Sequence, residues 1–334
     1  MDVSFLGGPQ PQRGVGIVAP FDFALDRELW RWVPDDVSLH LTRTPFVPVE
    51  VSLDLARLVS EHETLREAVN ALGAVAPEVL AYACTSGSFV GGTAGERAMS
   101  VAMESAGEAP ALTTSGALLE ALEELGVRRV AVVTPYTKSV TDSLEDFLGE
   151  AGIAVTGRSY LGLTREIWRV PYRDVVGMAR EAVADDQPDA LFISCTNLPT
   201  YDVIPQLEAE LRMPVVSANQ VTVWAALRRI GKDAVGAYQA LLDPVARRGP
   251  AAMTPTTAEP AVAEGEPVLR ETAFEPVAEE LPGAAVTEEE PAEPVLPPPA
   301  TAAAPSPADP VLDGHEAEAQ PWYDEWGRGP QPPV

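Results

Sequence analysis

The chain contains two cysteines, and they stand at matching places in two halves of the sequence. Cys84 follows the apolar run 79–83 and opens the string CTSGS, whereas Cys195 follows the run 190–194 and opens the string CTNLP. Each run has the length and composition of a buried β-strand. Two thiols at the ends of equivalent strands would act on a carbon from opposite sides, either by moving protons or by direct attack.

The match between the two halves continues downstream of each cysteine. An apolar segment begins at Pro110 in the first half and at Pro214 in the second. A helical pattern follows each segment and ends at Gly126 and at Gly231, so the Pro-to-Gly separations are 16 and 17 residues. This degenerate internal repeat predicts two similar lobes with one thiol in each.

Small polar residues follow both thiols. A loop of such residues that enters a helix presents backbone N–H groups and favours negative charge. We therefore expect the pKa of the thiols to be lowered toward a usable thiolate. We also expect Thr85 and Ser86 on one side, and Thr196 and Asn197 on the other, to bind a substrate carboxylate. One buried cysteine is often just a small core residue, but two at equivalent strand ends favour a functional role.

Three further positions have both a functional and a structural interpretation. Tyr136 follows a predicted strand and would either donate a hydrogen bond into the cleft or serve in packing. Asp22 would be either a site carboxylate or the cap of a helix over residues 24–30. Residues 217–219 would line the floor of the cleft or cap the helix that follows, and the cap is favoured.

Several classes of enzyme are poorly supported by the sequence. Of the three histidines, His40 is the one placed near the predicted site, because His62 lies on a helix and His315 lies near the end of the chain. A Cys-His dyad and a zinc site therefore lack ligands. Neither a dinucleotide fingerprint, nor a phosphate-binding Gly-Lys loop, nor a nucleophile elbow is present. We expect neither a metal nor a cofactor.

Apolar strand-like runs alternate with helical patterns from residue 14 to residue 232, including a predicted helix over Leu53–Leu72. This alternation is typical of an α/β fold whose parallel sheets carry helices on both faces. We predict a first lobe over 14–116, with 217–243 packing back on it, and a second lobe over 117–216. Ligands of such sheets bind beyond the carboxyl ends of the strands, where both cysteines lie.

The last 84 residues differ in composition from the rest of the chain. They hold 17 of the 33 prolines and contribute −15 to the net charge of −27. Such a segment lacks the apolar surface needed to form a core. We predict a disordered acidic Pro-rich tail over residues 244–334. Its tip, PWYDEWGRGP, is either part of that tail or a short motif for a protein partner.

The acidic charge of the remaining residues argues against nucleic acid as a partner. The absence of an apolar stretch of about 18 residues argues against a membrane span. The N-terminal residues lack the pattern of a secretory signal, and two widely separated cysteines in such a chain suggest reduced thiols. We therefore expect a cytoplasmic protein.

On these residues the chain resembles the aspartate/glutamate racemase superfamily. More narrowly, it resembles the branch of maleate cis-trans isomerase and arylmalonate decarboxylase, with its ectoine-utilisation relatives. The resemblance is carried by four strings: ACTSGS at 83–88, TPY at 134–136, SCTNLPTYDVIPQLE at 194–208 and PVVSANQVTVWAALRRIG at 214–231. It implies two pseudo-symmetric flavodoxin-like lobes with the active site between them, no cofactor, and, at the level of the family, a homodimer.

The resemblance also implies the chemistry. In the racemases both thiols act, one removing and the other returning a proton beside a carboxylate. In the isomerase one cysteine adds to a double bond. In the decarboxylase only the second-half cysteine is kept, as a proton donor. Because this chain has both Cys84 and Cys195, an isomerase or racemase of a small carboxylate is favoured, and Tyr136 matches the substrate-binding tyrosine.

Two alternatives remain. One is a decarboxylase, or a step in ectoine catabolism, with Cys195 as the proton donor. The other is a non-catalytic ligand sensor or scaffold that acts through the acidic tail.

The chain departs from the isomerase pattern at two places. The asparagine after the first strand is missing from 21–23, and a later asparagine is missing from 162–165. The carboxylate of Asp22 would repel a dicarboxylate unless Arg165 or another cation offsets it. The residues therefore indicate the class of reaction more firmly than they indicate that maleate is the substrate.

Overall fold

The computed structural model describes residues 12–243, all of which belong to one compact unit. The predicted acidic tail over 244–334 and its partner motif lie outside the described residues. Within residues 12–243, no helix is both long and apolar enough to span a membrane.

Strands and helices alternate along the described chain, as the apolar patterns predict. The strands are β1 Arg13–Ala19, β2 Val37–Arg43, β3 Val79–Tyr82, β4 Ala111–Thr113, β5 Arg129–Thr134, β6 Ala154–Tyr160, β7 Ala190–Ile193 and β8 Val215–Ser217. The α-helices are α1 Asp26–Trp30, α2 Leu53–Val59, α3 His62–Leu72, α4 Thr85–Phe89, α5 Gly92–Gly107, α6 Thr114–Glu124, α7 Lys138–Glu150, α8 Tyr172–Ala182, α9 Ile204–Leu211 and α10 Ala218–Arg229. Two short 3-10 helices cover Gly73–Val75 and Ile167–Arg169.

The strands form two four-stranded sheets with the same topology. The first has the order β2-β1-β3-β4 and the second the order β6-β5-β7-β8, and every pair is parallel. Cys84 follows β3 and Cys195 follows β7, so the two thiols occupy equivalent places in the two sheets. The predicted repeat of two α/β lobes is confirmed.

Both faces of the first sheet are covered. Successive side chains of a strand point to opposite faces, and in β3 this alternation separates two hydrophobic clusters. Val79 and Ala81 belong to a core that includes residues of both sheets, whereas Leu80 and Tyr82 pack with α2, α3 and α5 on the other face. Helix α10 contacts α6 and β3 of the first half. The lobe boundaries drawn from the sequence stay a prediction.

The single helix predicted over Leu53–Leu72 is wrong, because two helices meet there. The hydroxyl of Ser60 donates to the carbonyl of Arg57 at 2.9 Å, and Glu61 leaves the helical region with ψ of 134°. A helix end leaves its last carbonyls without partners in the helix. Here the carbonyl of Val59 instead accepts a hydrogen bond from the hydroxyl of Tyr82 at 2.8 Å.

Candidate active site

All eight residues that the sequence analysis assigned to the site line the same cavity. It encloses about 410 Å³, including the part that opens to solvent. The eight residues are Asp22, Cys84, Thr85, Ser86, Tyr136, Cys195, Thr196 and Asn197. They follow β1, β3, β5 and β7, whose carboxyl ends meet at this cavity, as parallel sheets of this kind favour.

Cys84 lies where β3 turns into α4. Its backbone is extended (φ −144°, ψ 113°), and its thiol lies 3.9 Å from the hydroxyl of Ser86. The carbonyl of Cys84 accepts from both the backbone N–H and the hydroxyl of Ser88, at 3.2 and 2.7 Å. A Cβ atom at Gly87 would overlap the hydroxyl of Tyr82. The glycine of the CTSGS string therefore lets this turn pack against the strand that carries the thiol.

Cys195 has an unusual backbone conformation. Its φ of +87° lies in the left-handed half that side chains rarely adopt, at a cost of about 1–3 kcal/mol. The backbone N–H of Asn197 donates to its sulfur at 3.3 Å. Such a conformation persists only where the surroundings hold it, so the contacts of the loop after β7 matter for the position of the thiol.

Asn197 ties that loop to the loop after β1. Its Nδ2 donates to the carbonyl of Asp22 at 3.0 Å, and its Oδ1 accepts from the backbone N–H of Ala24 at 2.8 Å. The side chain of Asn197 is thus engaged with protein backbone. Its side chain therefore holds the cavity wall through backbone contacts, and its binding of a carboxylate stays a prediction.

The predicted lowering of the thiol pKa values is wrong. Burial raises the pKa of both cysteines, and that of Cys195 to about 12, although Tyr136 and the N–H of Asn197 act in the opposite direction. The carboxyl group of Asp22 raises both pKa values further. Desolvation disfavours the charged form of a buried group, and here it outweighs the donors of the polar loops. In neutral solution Cys195 is therefore a protonated thiol, the form that donates a proton.

Asp22 lines the cavity and does not cap a helix. Helix α1 begins at Asp26, and the residue at its N-cap is Leu25, so the alternative interpretation of Asp22 is wrong. Burial raises the pKa of Asp22, and hydrogen bonds from backbone and from Asn197 oppose that rise. Asp22 therefore brings a partly desolvated carboxyl group to the cavity.

Thr85 has a hydroxyl that is buried and makes no hydrogen bond to any described residue. The residue is 1% exposed and lines the cavity. Buried hydroxyls nearly always have a partner. The hydroxyl of Thr85 is therefore a buried polar group at the cavity wall without a protein partner among the described residues.

Tyr136 serves in packing, one of the two roles considered from sequence, and its donation of a hydrogen bond into the cleft stays a prediction. It lines the cavity, and its ring packs edge-to-face on Phe89 with centroids 6.3 Å apart. Residues 217–219 do not line the cavity. Ser217 instead caps α10 and forms a reciprocal capping box with Gln220, which confirms the favoured interpretation.

The apolar wall of the cavity was not predicted from the sequence. It is formed by Pro20, Val51, Leu55, Val59 and Ile167, together with the polar Ser52. Helical spacing marked Leu55 and Val59 as an apolar face, but such a face is typical of any core helix. No local signal distinguishes packing against a core from lining a cavity.

Among the described residues that line the cavity, none is lysine, arginine or histidine. Arg165 does not offset Asp22, because its side chain is 73% exposed and forms an ion pair with Glu50. His40 lies in β2 and does not line the cavity either. A bound carboxylate would therefore be held by neutral donors.

Comparisons with known proteins agree with this arrangement. The family model for arylmalonate decarboxylase matches residues 57–242. The arylmalonate decarboxylase of Bordetella bronchiseptica is 40% identical over 155 residues, which cover 45% of this chain and 64% of that relative, just under two thirds of its length.

Two solved structures extend the similarity to most of the described chain. A double mutant of arylmalonate decarboxylase in its liganded form, in which one glycine is changed to cysteine and one cysteine to serine, is 31% identical with a TM-score of 0.64. That match covers 70% of this chain and all of the other. A cysteine-to-serine mutant of the Nocardia farcinica maleate cis-trans isomerase, with a covalently bound succinylcysteine intermediate, is 25% identical with a TM-score of 0.61. It covers 66% of this chain and 94% of that one.

The family match spans more than half of the chain and includes both cysteines. The matching solved structures have the two-lobed fold described above. This chain belongs to the arylmalonate decarboxylase family.

Proposed function

We propose that this chain is a cofactor-independent isomerase or racemase of a small carboxylate, with Cys84 and Cys195 as its catalytic residues. One observation carries the proposal: thiols from equivalent ends of two sheets line the same cavity. The relatives named above, an arylmalonate decarboxylase and a maleate cis-trans isomerase, support the broader class of isomerase or lyase.

The substrate class follows from the two walls of the cavity. One wall offers neutral donors, and the hydroxyl of Thr85 lacks any other partner. We assign the carboxylate of the substrate to Thr85, Ser86, Tyr136 and Thr196. The other wall is apolar and fits an apolar group on the reacting carbon. A second free carboxylate, as in maleate, would meet Asp22 without a cation to offset it, so a carboxylate with an apolar substituent is favoured.

For racemisation, one cysteine first gives its thiol proton to water, because burial raises both pKa values, and its thiolate then removes the proton from the carbon beside the carboxylate. The electron pair of the C–H bond passes into the carboxylate, which becomes an enediolate held by the neutral donors. The thiol of the other cysteine gives its proton to the opposite face of the carbon. The two cysteines have then exchanged protonation states, and no other reactant is consumed.

For cis-trans isomerisation, the thiol of Cys84, whose pKa burial raises, first gives its proton to water, and the resulting thiolate adds to one carbon of a double bond. The electron pair of the double bond moves onto the neighbouring carbon and its carboxylate. Rotation about the new single bond and loss of the C–S bond return the thiolate and release the trans acid. The succinylcysteine of the Nocardia farcinica protein is an adduct of this kind in that relative.

A decarboxylase is the second candidate, and the protonated state of Cys195 favours it. Burial raises the pKa of Cys195 to about 12, which suits a proton donor. The bond from carbon to one carboxylate would break, and carbon dioxide would leave. The electron pair would remain as an enediolate, the thiol of Cys195 would protonate the carbon, and its thiolate would recover a proton from water.

The test is proton NMR in heavy water with maleate, methylmalonate, phenylmalonate and 2-phenylpropionate, using the wild type and the variants Cys84→Ala and Cys195→Ala. We expect the wild type to place deuterium at the carbon beside the carboxylate or to form fumarate from maleate. We expect both variants to lose this activity. Carbon dioxide release that survives Cys84→Ala and is lost in Cys195→Ala would assign the decarboxylase instead. Turnover that persists in both folded variants would refute the role of the thiols.

A further inference from the structure

We propose that Glu28 is the positioning residue of Cys195: a buried carboxylate from the first half of the chain that holds the loop after β7 in place. The inference rests on the proposed function only in so far as Cys195 is given a catalytic role. Glu28 does not line the cavity and touches neither thiol through any described hydrogen bond.

Glu28 lies on α1 and is only 8% exposed. Its Oε2 accepts from the backbone N–H of Thr200 at 2.9 Å, and its Oε1 accepts from the hydroxyl of Thr200 at 2.9 Å. Asn219 donates to Oε1 at 3.0 Å, and the backbone N–H of Tyr201 approaches Oε2 at 3.4 Å. All four partners are donors, and a carboxylate accepts from all of them; these hydrogen bonds oppose the rise that burial causes in the pKa of Glu28. Charge-assisted hydrogen bonds of this kind are stronger than neutral ones.

Asn219 connects Glu28 by hydrogen bonds to Thr196, the residue directly after Cys195. The same Nδ2 atom that donates to Glu28 also donates to the carbonyl of Thr196 at 2.9 Å. The Oδ1 atom of Asn219 is buried without a hydrogen-bond partner among the described residues. The orientation of this amide is therefore set by its two acceptors, the carboxylate of Glu28 and the carbonyl of Thr196.

Glu28 thus fixes both ends of the segment 196–200, which begins directly after the thiol. That segment must hold Cys195 at φ +87°. A backbone conformation of this kind persists only when surrounding contacts hold it in place. Asn197, between the two anchors, is tied to Asp22 and Ala24. The loop after β7 is therefore bound along its length by the segment after β1.

An outer contact acts on the same loop but is weaker. Arg31, directly after α1, forms a bidentate ion pair with Asp202 at 2.6 and 2.7 Å and lies over the ring of Tyr201 at 3.6 Å. Both members of the pair are 40% or more exposed. Exposed ion pairs contribute little, so we assign the positioning to the buried carboxylate.

The arrangement is specific to one thiol. None of the described hydrogen bonds of Glu28 involves α4 or the other residues around Cys84. Loss of the carboxylate should therefore change the environment of Cys195 and leave that of Cys84 as it is. If Glu28 only stabilised the fold, its loss would not affect one thiol and spare the other.

The experiment uses Glu28→Gln in the full chain, whose two cysteines are read separately. Glutamine has nearly the same shape as glutamate, but its NH₂ group replaces one of the two accepting oxygens. That NH₂ group would point at the N–H and O–H donors that Glu28 accepts from, and the hydrogen bonds there would be lost. Each purified protein is treated with iodoacetamide over a range of pH, and alkylation of each cysteine is followed by peptide mass spectrometry. We expect water to reach Cys195 and to lower its raised pKa. Each pH unit by which that pKa falls should make alkylation of Cys195 about tenfold faster. The rate at Cys84 should not change.

Glu208→Gln is the matched control. Glu208 is a partly buried carboxylate and accepts from the backbone N–H groups of Val215 and Ala240, at 2.9 and 2.8 Å. It lies outside the cavity lining. Its replacement should lower the thermal midpoint and leave the alkylation of both cysteines unchanged.

Equal acceleration at both cysteines in Glu28→Gln, or an unchanged rate at Cys195 in the folded variant, would overturn the proposal. If Glu28→Gln does not fold, Thr200→Val and Thr200→Ser replace it, because only serine keeps the hydroxyl that donates to Glu28. The valine variant should then accelerate alkylation of Cys195 and the serine variant should not, and equal rates would overturn the proposal. Alkylation of the cysteines does not require turnover. If Glu28→Gln accelerates alkylation of Cys195 only, while the protein turns over none of the carboxylates tested, the proposed reaction is refuted and the positioning role of Glu28 is not.

Discussion

Replacing Thr85 by valine should stabilise the protein and impair its reaction. The exchange keeps the shape of the side chain and removes a hydroxyl that is buried without a hydrogen-bond partner. A buried hydroxyl without a partner costs about 1–3 kcal/mol relative to an apolar group. We expect the free energy of unfolding to rise by about that amount, which raises the thermal midpoint by about 2–4 °C for each kcal/mol in a domain of this size.

The same hydroxyl is proposed to donate to the substrate carboxylate. A hydrogen bond to a charged group contributes about 1.5–3 kcal/mol, so kcat/KM should fall by about 10- to 150-fold in Thr85→Val. Stability and activity would then change in opposite directions. That is the signature of a polar group whose partner is the ligand and not the protein.

The control is Thr114→Val. The hydroxyl of Thr114 is buried too, but it donates to the carbonyl of Tyr82 at 3.1 Å and lies 2.7 Å from the hydroxyl of Thr222. Its removal takes one hydrogen bond from each of these groups, although the hydroxyl of Thr222 still donates to the carbonyl of Ala218 at 2.7 Å, and should lower stability by about 0.5–1.5 kcal/mol. Chemical denaturation measures both variants, and turnover of the substrate identified by NMR measures the activity. A Thr85→Val protein that is destabilised like the control, or that keeps full kcat/KM, would refute the reasoning.

Three further predictions follow from the thiol and from a buried carboxylate. Because burial raises the pKa of Cys195 to about 12, its alkylation by iodoacetamide should keep rising between pH 7 and 10, at about tenfold for each pH unit, and a plateau near pH 9 would contradict this. Because Cys195 has φ +87°, Cys195→Gly should be about 1 kcal/mol more stable than Cys195→Ala in urea denaturation, and the reverse order would show that the backbone is not strained. Burial raises the pKa of Glu208 from 4.5 to about 7, so the folded state binds more protons than the unfolded state between these pH values. Its contribution to stability should fall as the pH rises through that window, by roughly 3 kcal/mol, and Glu208→Gln should flatten this slope in thermal melts.

The sequence carried enough information to locate the cavity. Parallel sheets place the carboxyl ends of neighbouring strands at one edge, so residues directly after strand-like runs meet in space whatever the rest of the chain does. Cys84 and Cys195 follow such runs in two matched halves, and Asp22 and Tyr136 follow two others. The repeat and the resemblance together predicted the two-lobed α/β fold, because both depend on patterns that are local along the chain.

The tertiary structure alone decided the properties of the groups in that cavity. The pKa of a thiol depends on how much water all surrounding atoms exclude, and this exclusion outweighs the neighbouring N–H groups that the sequence reveals at Cys195. The helix break at Ser60, the apolar wall and the engagement of Asn197 by the loop after β1 likewise depend on contacts between distant segments. Glu28 is 172 residues from Thr200 along the chain. Only folding brings its carboxylate to the donors it holds, since no spacing or composition links two residues so far apart.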